Sequence, residues 1–265
     1  SRVLSPKSLR ATRANLEKVM GIISRQRGGG GTQLLKGLKT AYKLPKVKKK
    51  GVSRSVVVIT DGYVGVENQT FRFINKRLNE ANLFSFGIGR SVNRALIEDM
   101  GRAGMGESFV VLSGAEATDK AQKFKEYIES PVLTDIQVKY DGMSVYDVVP
   151  KAFPDLMAQR PLIAFGKYTG ETSGSITVTG ATGGGSFKKT LTFGAGASKP
   201  KNKPLRVLWA RKWVDKLSDQ LKVLPSDSDL KNAITNVGLS YKLLTQFTSF
   251  VAVDLKQVKR NGKLV

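Results

Sequence analysis

The sequence predicts an α/β fold, namely the C-terminal part of a doubly wound parallel sheet followed by an antiparallel β module with helices. Three observations carry this. Up to about Pro131, apolar strands alternate with amphipathic helical segments. Beyond it come short alternating strands rich in Thr, Gly and Ser, and then more helix. The connections in the first half are long enough to hold a helix each, which demands parallel strands joined by right-handed crossovers. The chain divides on this reading into 1–130, a partial sheet domain, 131–200, an antiparallel sandwich-like module, and 201–265, a helical segment with a closing strand.

Each element has its own reason. Residues 12–25 place Leu16, Val19, Met20 and Ile23 on one helical face. The four glycines at 28–31 end that helix, and Thr32 opens a second over 33–42 with Leu34, Leu35 and Leu38 as its buried stripe. The basic run 46–50 after Pro45 reads as an exposed loop. Residues 55–60, SVVVIT, form a near-continuous β-branched run of the kind that a strand shows when both faces are covered. It ends on Asp61-Gly62. A helix over 69–81, a strand over 83–88, a helix over 92–103, a strand over 108–112 and a helix over 115–128 complete the half.

In the second half, 132–140 alternates, 145–149 continues it, 161–168 is another strand, and 174–180 with 187–193 form a hairpin around Gly183-Gly184-Gly185. Residues 194–204 are linker-like. A helix over 205–221 carries Trp209 and Trp213, which read as core anchors at helical spacing. Ser226, Asp227 and Ser228 supply capping oxygens for a last helix, and 248–255 predicts a closing strand in which Phe247 and Phe250 pack.

Composition narrows the chemistry. The 265 residues contain no Cys and no His, which excludes thiolate and imidazole metal sites, disulfides, Cys nucleophiles and His-based acid–base catalysis within the chain. No constellation of carboxylates, Lys or Ser replaces them, so the expectation is a non-enzyme. A metal would need oxygen ligands, leaving Mg²⁺, Ca²⁺ or Mn²⁺. No run approaches the roughly 20 apolar residues of a membrane helix. Lys and Arg total 44 against 21 Asp and Glu, a formal charge of +23. The first fifty residues hold fourteen of these cations against one acid, Glu17. That segment is either a solvated basic face or a footprint for an anionic polymer, a lipid surface or an acidic protein. It carries no aromatic interleaving and no nucleic-acid motif, which disfavours sequence-specific nucleic-acid binding.

Three short motifs stand in order: Gly30-Gly31-Thr32; Thr60-Asp61-Gly62 after a hydrophobic strand; and Phe86-Gly87-Ile88-Gly89 after the next. Open α/β sheets bind ligands beyond the carboxyl ends of their strands, where Asp61 lies. By residue type alone, Thr32 is a helix N-cap or an oxygen ligand, and Thr60-Asp61-Gly62 is a plain turn or a donor. Together the motifs resemble the von Willebrand factor A domain. That resemblance implies a metal-ion-dependent adhesion site in which Thr32 binds Mg²⁺ or Ca²⁺ directly, Asp61 acts through a bound water, Gly30, Gly31 and Gly62 are ligand-binding residues, and one coordination position stays open for an acidic group on a partner.

The stretches Ser130-Pro131-Val132-Leu133-Thr134-Asp135, Tyr146-Asp147-Val148, Pro154-Asp155-Leu156 and TQFTSFVAVD at 245–254 extend the likeness to inter-alpha-trypsin inhibitor heavy chains. Thr60-Asp61-Gly62-Tyr63-Val64 and Ser91-Val92-Asn93-Arg94 are nearer the bacterial relatives. The resemblance implies an adhesion or protein-interaction module of the cell envelope, cell surface or extracellular space. One departure stands out: the Asp-x-Ser-x-Ser strand end that supplies most of the family's metal ligands is absent upstream of Thr32. The expectation is an N-terminally incomplete A domain, whose 55–60 strand is left with an apolar edge that another chain or an upstream segment completes. The alternative is a structural subunit of a larger assembly, with a degraded metal site and a basic surface that binds anionic partners.

Overall fold

The computed structural model describes residues 3–25, 33–47, 51–61, 67–78, 80–129, 131–158, 161–171, 173–194, 200–252, 259–260 and 263–264. They fall into two compact units, Ser1–Lys199 and Pro200–Val265. The first opens with α1 (Arg13–Ser24) and α2 (Leu34–Lys43) and continues β1 (Ser55–Thr60), α3 (Glu67–Asn75), β2 (Asn82–Ile88), α4 (Arg94–Ala103), β3 (Met105–Val111) and α5 (Gly114–Glu129). Strands β1, β2 and β3 form one parallel sheet in that order. The alternation of strand and crossover helix read from the sequence is therefore what forms.

Two apolar layers flank this sheet. On one face Leu34, Leu38 and Tyr42 of α2, Phe71 and Ile74 of α3, and Leu96, Ile97 and Met100 of α4 pack with Val56, Val58 and Leu83. On the other, Phe84, Phe86, Phe109 and Val111 meet Phe124, Tyr127 and Ile128 of α5, joined by Met157. Phe86 stacks on Phe109 with centroids 4.6 Å apart, and Phe124 stands edge-on to both rings. As the middle strand, β2 is buried on both faces, and its Ser85 hydroxyl donates to the Ile97 carbonyl at 2.6 Å. Asn93 caps α4 by accepting from the Leu96 N–H at 3.1 Å.

The flanking elements differ from expectation. Strand β1 is an edge strand, and its burial alternates: Val56, Val58 and Thr60 are covered, whereas Val57 and Ile59 face out, the latter 64% exposed. Its β-branched run was expected to be covered on both faces; α5 covers β2 and β3 but leaves that side of β1 bare. Helix α1 has the expected apolar stripe but buries none of it, and Met20 is 68% exposed. Leu35 is half-buried beside the buried Leu34 and Leu38 of α2.

Past Pro131 the ladders become antiparallel, in the order β6-β4-β8-β9 with a separate β5-β7 pair. The strands are β4 (Pro131–Asp141), β5 (Ser144–Val149), β6 (Leu156–Met157), β7 (Phe165–Thr169), β8 (Gly174–Thr182) and β9 (Gly185–Phe193). The β8–β9 hairpin turns where the glycines predict it, with the Gly184 N–H donating to the Thr182 hydroxyl at 3.2 Å. Strand β9 is exposed along nearly its whole length.

The second unit is a helical hairpin of α6 (Pro204–Val223) and α7 (Ser228–Tyr241), followed by a short pair, β10 (Lys259–Arg260) and β11 (Lys263–Leu264). Leu217, Leu221 and Ile234 form its core with Trp213 against them, and Trp209 is buried, stacked on Trp213 with centroids 5.6 Å apart. Both tryptophans are the packing anchors that their spacing suggests. Asp227 alone of the three candidate caps accepts from the Leu230 N–H, at 3.0 Å. The strand expected over 248–255 is not formed in its described part, 248–252. Thr248 instead donates to the Leu243 carbonyl at 2.7 Å and pairs with Thr245, folding the chain back over Gly238, where an added Cβ would meet the Thr248 hydroxyl at 2.8 Å. Phe247 is exposed and Phe250 is 70% exposed, so the packing expected of them is not made.

Candidate functional site

The parallel sheet positions the candidate site at its carboxyl edge. Residues Ser55–Thr60 run in register with Asn82–Gly87, so Asp61 emerges from the sheet next to the end of β2. Its side chain is exposed, and it continues the alternation that turns Val57 and Ile59 toward the open face. Thr60, immediately before it, is buried on the helix-covered side. Thr32, Gly30, Gly31 and Gly62 lie outside the described residues, so of the sequence-predicted site residues the structure places Asp61.

At the neighbouring strand ends the backbone is well tied. The Gly89 N–H donates to the Val111 carbonyl at 2.8 Å, and Gly89 itself adopts φ +90°, in the left-handed region that favours glycine. At the start of α5, Glu116 accepts from the Leu112 N–H at 3.3 Å and from the Lys120 ammonium at 2.6 Å. These bonds, Lys120 first, hold its carboxyl below the usual glutamate range. Lys120 also donates to the Val110 carbonyl. Among the described residues no three acidic side chains gather closely enough to hold a metal ion.

Beside Asp61 the sheet carries a feature that hydropathy did not signal. An open groove of about 440 Å³ runs along the bare face of β1, lined by Val57, Ile59, Phe86, Ile88, Leu112 and Phe124, with small residues at its rim. The β-branched run announced a buried strand, but nothing in the sequence says which of its faces this chain itself covers. Lys36, Lys39 and Lys43 on the outer side of α2 were also visible in the sequence, as a spacing opposite Leu34 and Leu38.

Comparison with known proteins places this geometry. Residues 1–110 match the family model of the von Willebrand factor type A domain. Over that stretch the chain is similar to a von Willebrand factor type A domain. The chain is 27% identical over 261 residues to human von Willebrand factor A domain-containing protein 5A, a match covering 94% of this chain and 32% of that protein. It is 24% identical over 239 residues to human inter-alpha-trypsin inhibitor heavy chain H4, covering 83% of this chain and 25% of the relative. The chain thus spans about a third or less of these curated relatives. A solved von Willebrand factor type A structure from Catenulispora acidiphila has the same fold, with a TM-score of 0.54 at 12% identity over 90% of this chain and 67% of that one. The match to the human A domain-containing protein covers 94% of this chain, so that likeness runs past residue 110 into the antiparallel strands and the helical hairpin.

Proposed function

We propose that the chain is a non-enzymatic adhesion or protein-interaction module whose A-type sheet is completed along β1 by a strand from another chain or from a longer form of the same protein. The observation that carries this reading is β1 itself: an edge strand with Val57 and Ile59 bare above an apolar groove, ending in Asp61. An uncovered apolar edge invites pairing. A divalent cation, Mg²⁺ or Ca²⁺, would bind where the added strand meets Asp61, with Thr32 as a second oxygen donor and the remaining donors supplied from outside. Asp61 provides one carboxylate there, too few for a hard cation that takes six or more oxygens, so the metal belongs to the completed sheet and not to this chain alone. Its open position would take a carboxylate of an acidic partner. By analogy with extracellular heavy chains, the proposed setting is the cell envelope, cell surface or extracellular space. No helix among the described residues is long and apolar enough to cross a membrane.

Native mass spectrometry of the protein from its source tests the first half. A stable species containing an added strand, from a second chain or a longer form, is expected; a stable, monomeric 265-residue species would sink it. Asp61→Ala in the intact assembly tests the second half: partner binding should be lost both in the variant and on adding chelator. A second reading, a structural subunit that binds anionic partners by its basic surface, is favoured by cations that lack acidic partners on α2 and α3. It predicts binding that ignores chelator and falls steeply with salt.

A further inference from the structure

We propose that the common outer face of α2 and α3 is a docking surface for a linear anionic polysaccharide. This deepens the basic-surface reading and rests on it. On α2, Lys36, Lys39 and Lys43 are all exposed, and they stand opposite the buried Leu34, Leu38 and Tyr42. At 1.5 Å of rise per residue the row spans about 10 Å. Arg72 on α3 and Lys76, the residue just past its end, are exposed four residues apart, away from the buried Phe71 and Ile74. The two helices are neighbours: Tyr42 and Phe73 meet edge-on with centroids 5.3 Å apart, and both buried stripes enter one core. The outer sides of these two neighbouring helices, with the residue that follows α3, therefore present five cations to solvent.

These cations are also unspent. Arg77, Arg102, Lys120, Lys123, Lys139, Lys167, Lys212 and Lys222 each have a carboxylate within ion-pair distance. Among the described residues Lys36, Lys39, Lys43, Arg72 and Lys76 have none. Five unneutralised charges on one small surface repel one another, and a polyanion relieves that repulsion while releasing its own counterions.

The chemistry of the face selects the polymer. Neither helix exposes a large hydrophobic side chain to enter a lipid layer. No ring is offered for base stacking, because Tyr42 is buried and the Arg77 guanidinium lies 4.2 Å over the Phe73 ring. Four of the five cations are lysines, point charges without the fork that matches phosphate bidentately. Charges spaced along a chain, read one at a time, are what sulfated and carboxylated glycans carry.

The test uses the full chain and heparin as the probe, with affinity measured across a salt series. The variant Lys36→Glu, Lys39→Glu, Lys43→Glu is compared with Lys188→Glu, Lys189→Glu, Lys231→Glu, which removes the same charge from exposed positions elsewhere. The α2 variant should weaken heparin binding about tenfold or more and flatten the salt slope by about one per cation lost, while the control stays within about twofold. Lys→Gln versions at the same sites, with melting curves, separate a lost site from a lost fold. Chelator should change nothing. Equal losses in both variants would overturn this site while leaving a diffuse basic surface standing. Absence of heparin binding at about 150 mM salt, or tighter binding of duplex DNA than of heparin, would overturn the proposal.

Discussion

Asp61 follows a strand directly and Glu116 lies in the first turn of α5, and their surroundings differ. Glu116 is engaged: Lys120 and the Leu112 N–H both donate to its Oε2. Its carboxyl titrates below its ordinary value of 4.5, so its contribution to stability is present above that value and lost as pH falls through the lowered one. The stability difference between the wild type and Glu116→Gln should therefore be largest near neutrality and shrink on acidification; urea midpoints across acidic pH check it, and a constant difference would contradict the assignment. Asp61, exposed and past the end of its strand, was legible in the sequence because Thr-Asp-Gly follows so clear a strand. Thr32 was equally legible as a motif, but a threonine after glycines serves as cap or ligand alike, and only donors from elsewhere would decide between them. Ser85 is the converse case, a buried hydroxyl that no motif announced. Its bond to the Ile97 carbonyl ties β2 to α4, so Ser85→Ala should cost about 1–3 kcal/mol in urea unfolding.

Among the elements, periodicity identified nearly every helix and strand but could not say what covers them. Helices α1 and α2 both carry apolar stripes, yet α2 buries Leu34, Leu38 and Tyr42 while α1 buries nothing. Amphipathicity reports a preferred side, and burial needs a neighbour to supply the other half of the contact. The final stretch makes the same point for strands: 248–255 has β-forming residues, but β propensity is realised only against a partner edge. Its described part turns back on α7 instead. The contrast predicts different costs. Ile97→Ala, in the fully buried layer of α4, should destabilise by about 2–5 kcal/mol. Ile59→Lys, on the bare face of β1, should cost less than about 1 kcal/mol in the same unfolding measurement, while abolishing assembly with a completing strand. A large loss of intrinsic stability in Ile59→Lys would mean that the groove is already filled.

At the scale of the whole molecule, two surfaces pull in opposite directions. The +23 charge keeps copies apart through mutual repulsion. The groove and edge of β1, together with the bare stripe of α1, favour association. Raising salt screens the first and leaves the second. Self-association followed by sedimentation should therefore increase with ionic strength, and Ile59→Lys should suppress the increase. Association that falls with salt would point to charge pairing between copies instead. The parallel topology was legible because crossover helices leave no other choice, and the surplus charge was legible by counting. The distribution of that charge was not: the basic face joins α2 to α3, thirty residues apart in sequence, and leaves out much of the basic segment before it.

The edge of β1 has one more consequence. A ladder of backbone N–H and C=O groups is the same whatever side chains hang from it, proline excepted. A completing strand would thus be recognised mainly by its shape and its apolar alternation, and hardly by residue identity. Such a seam could drift in sequence on both sides while still fitting. Val57→Pro should close that seam to every such strand at once.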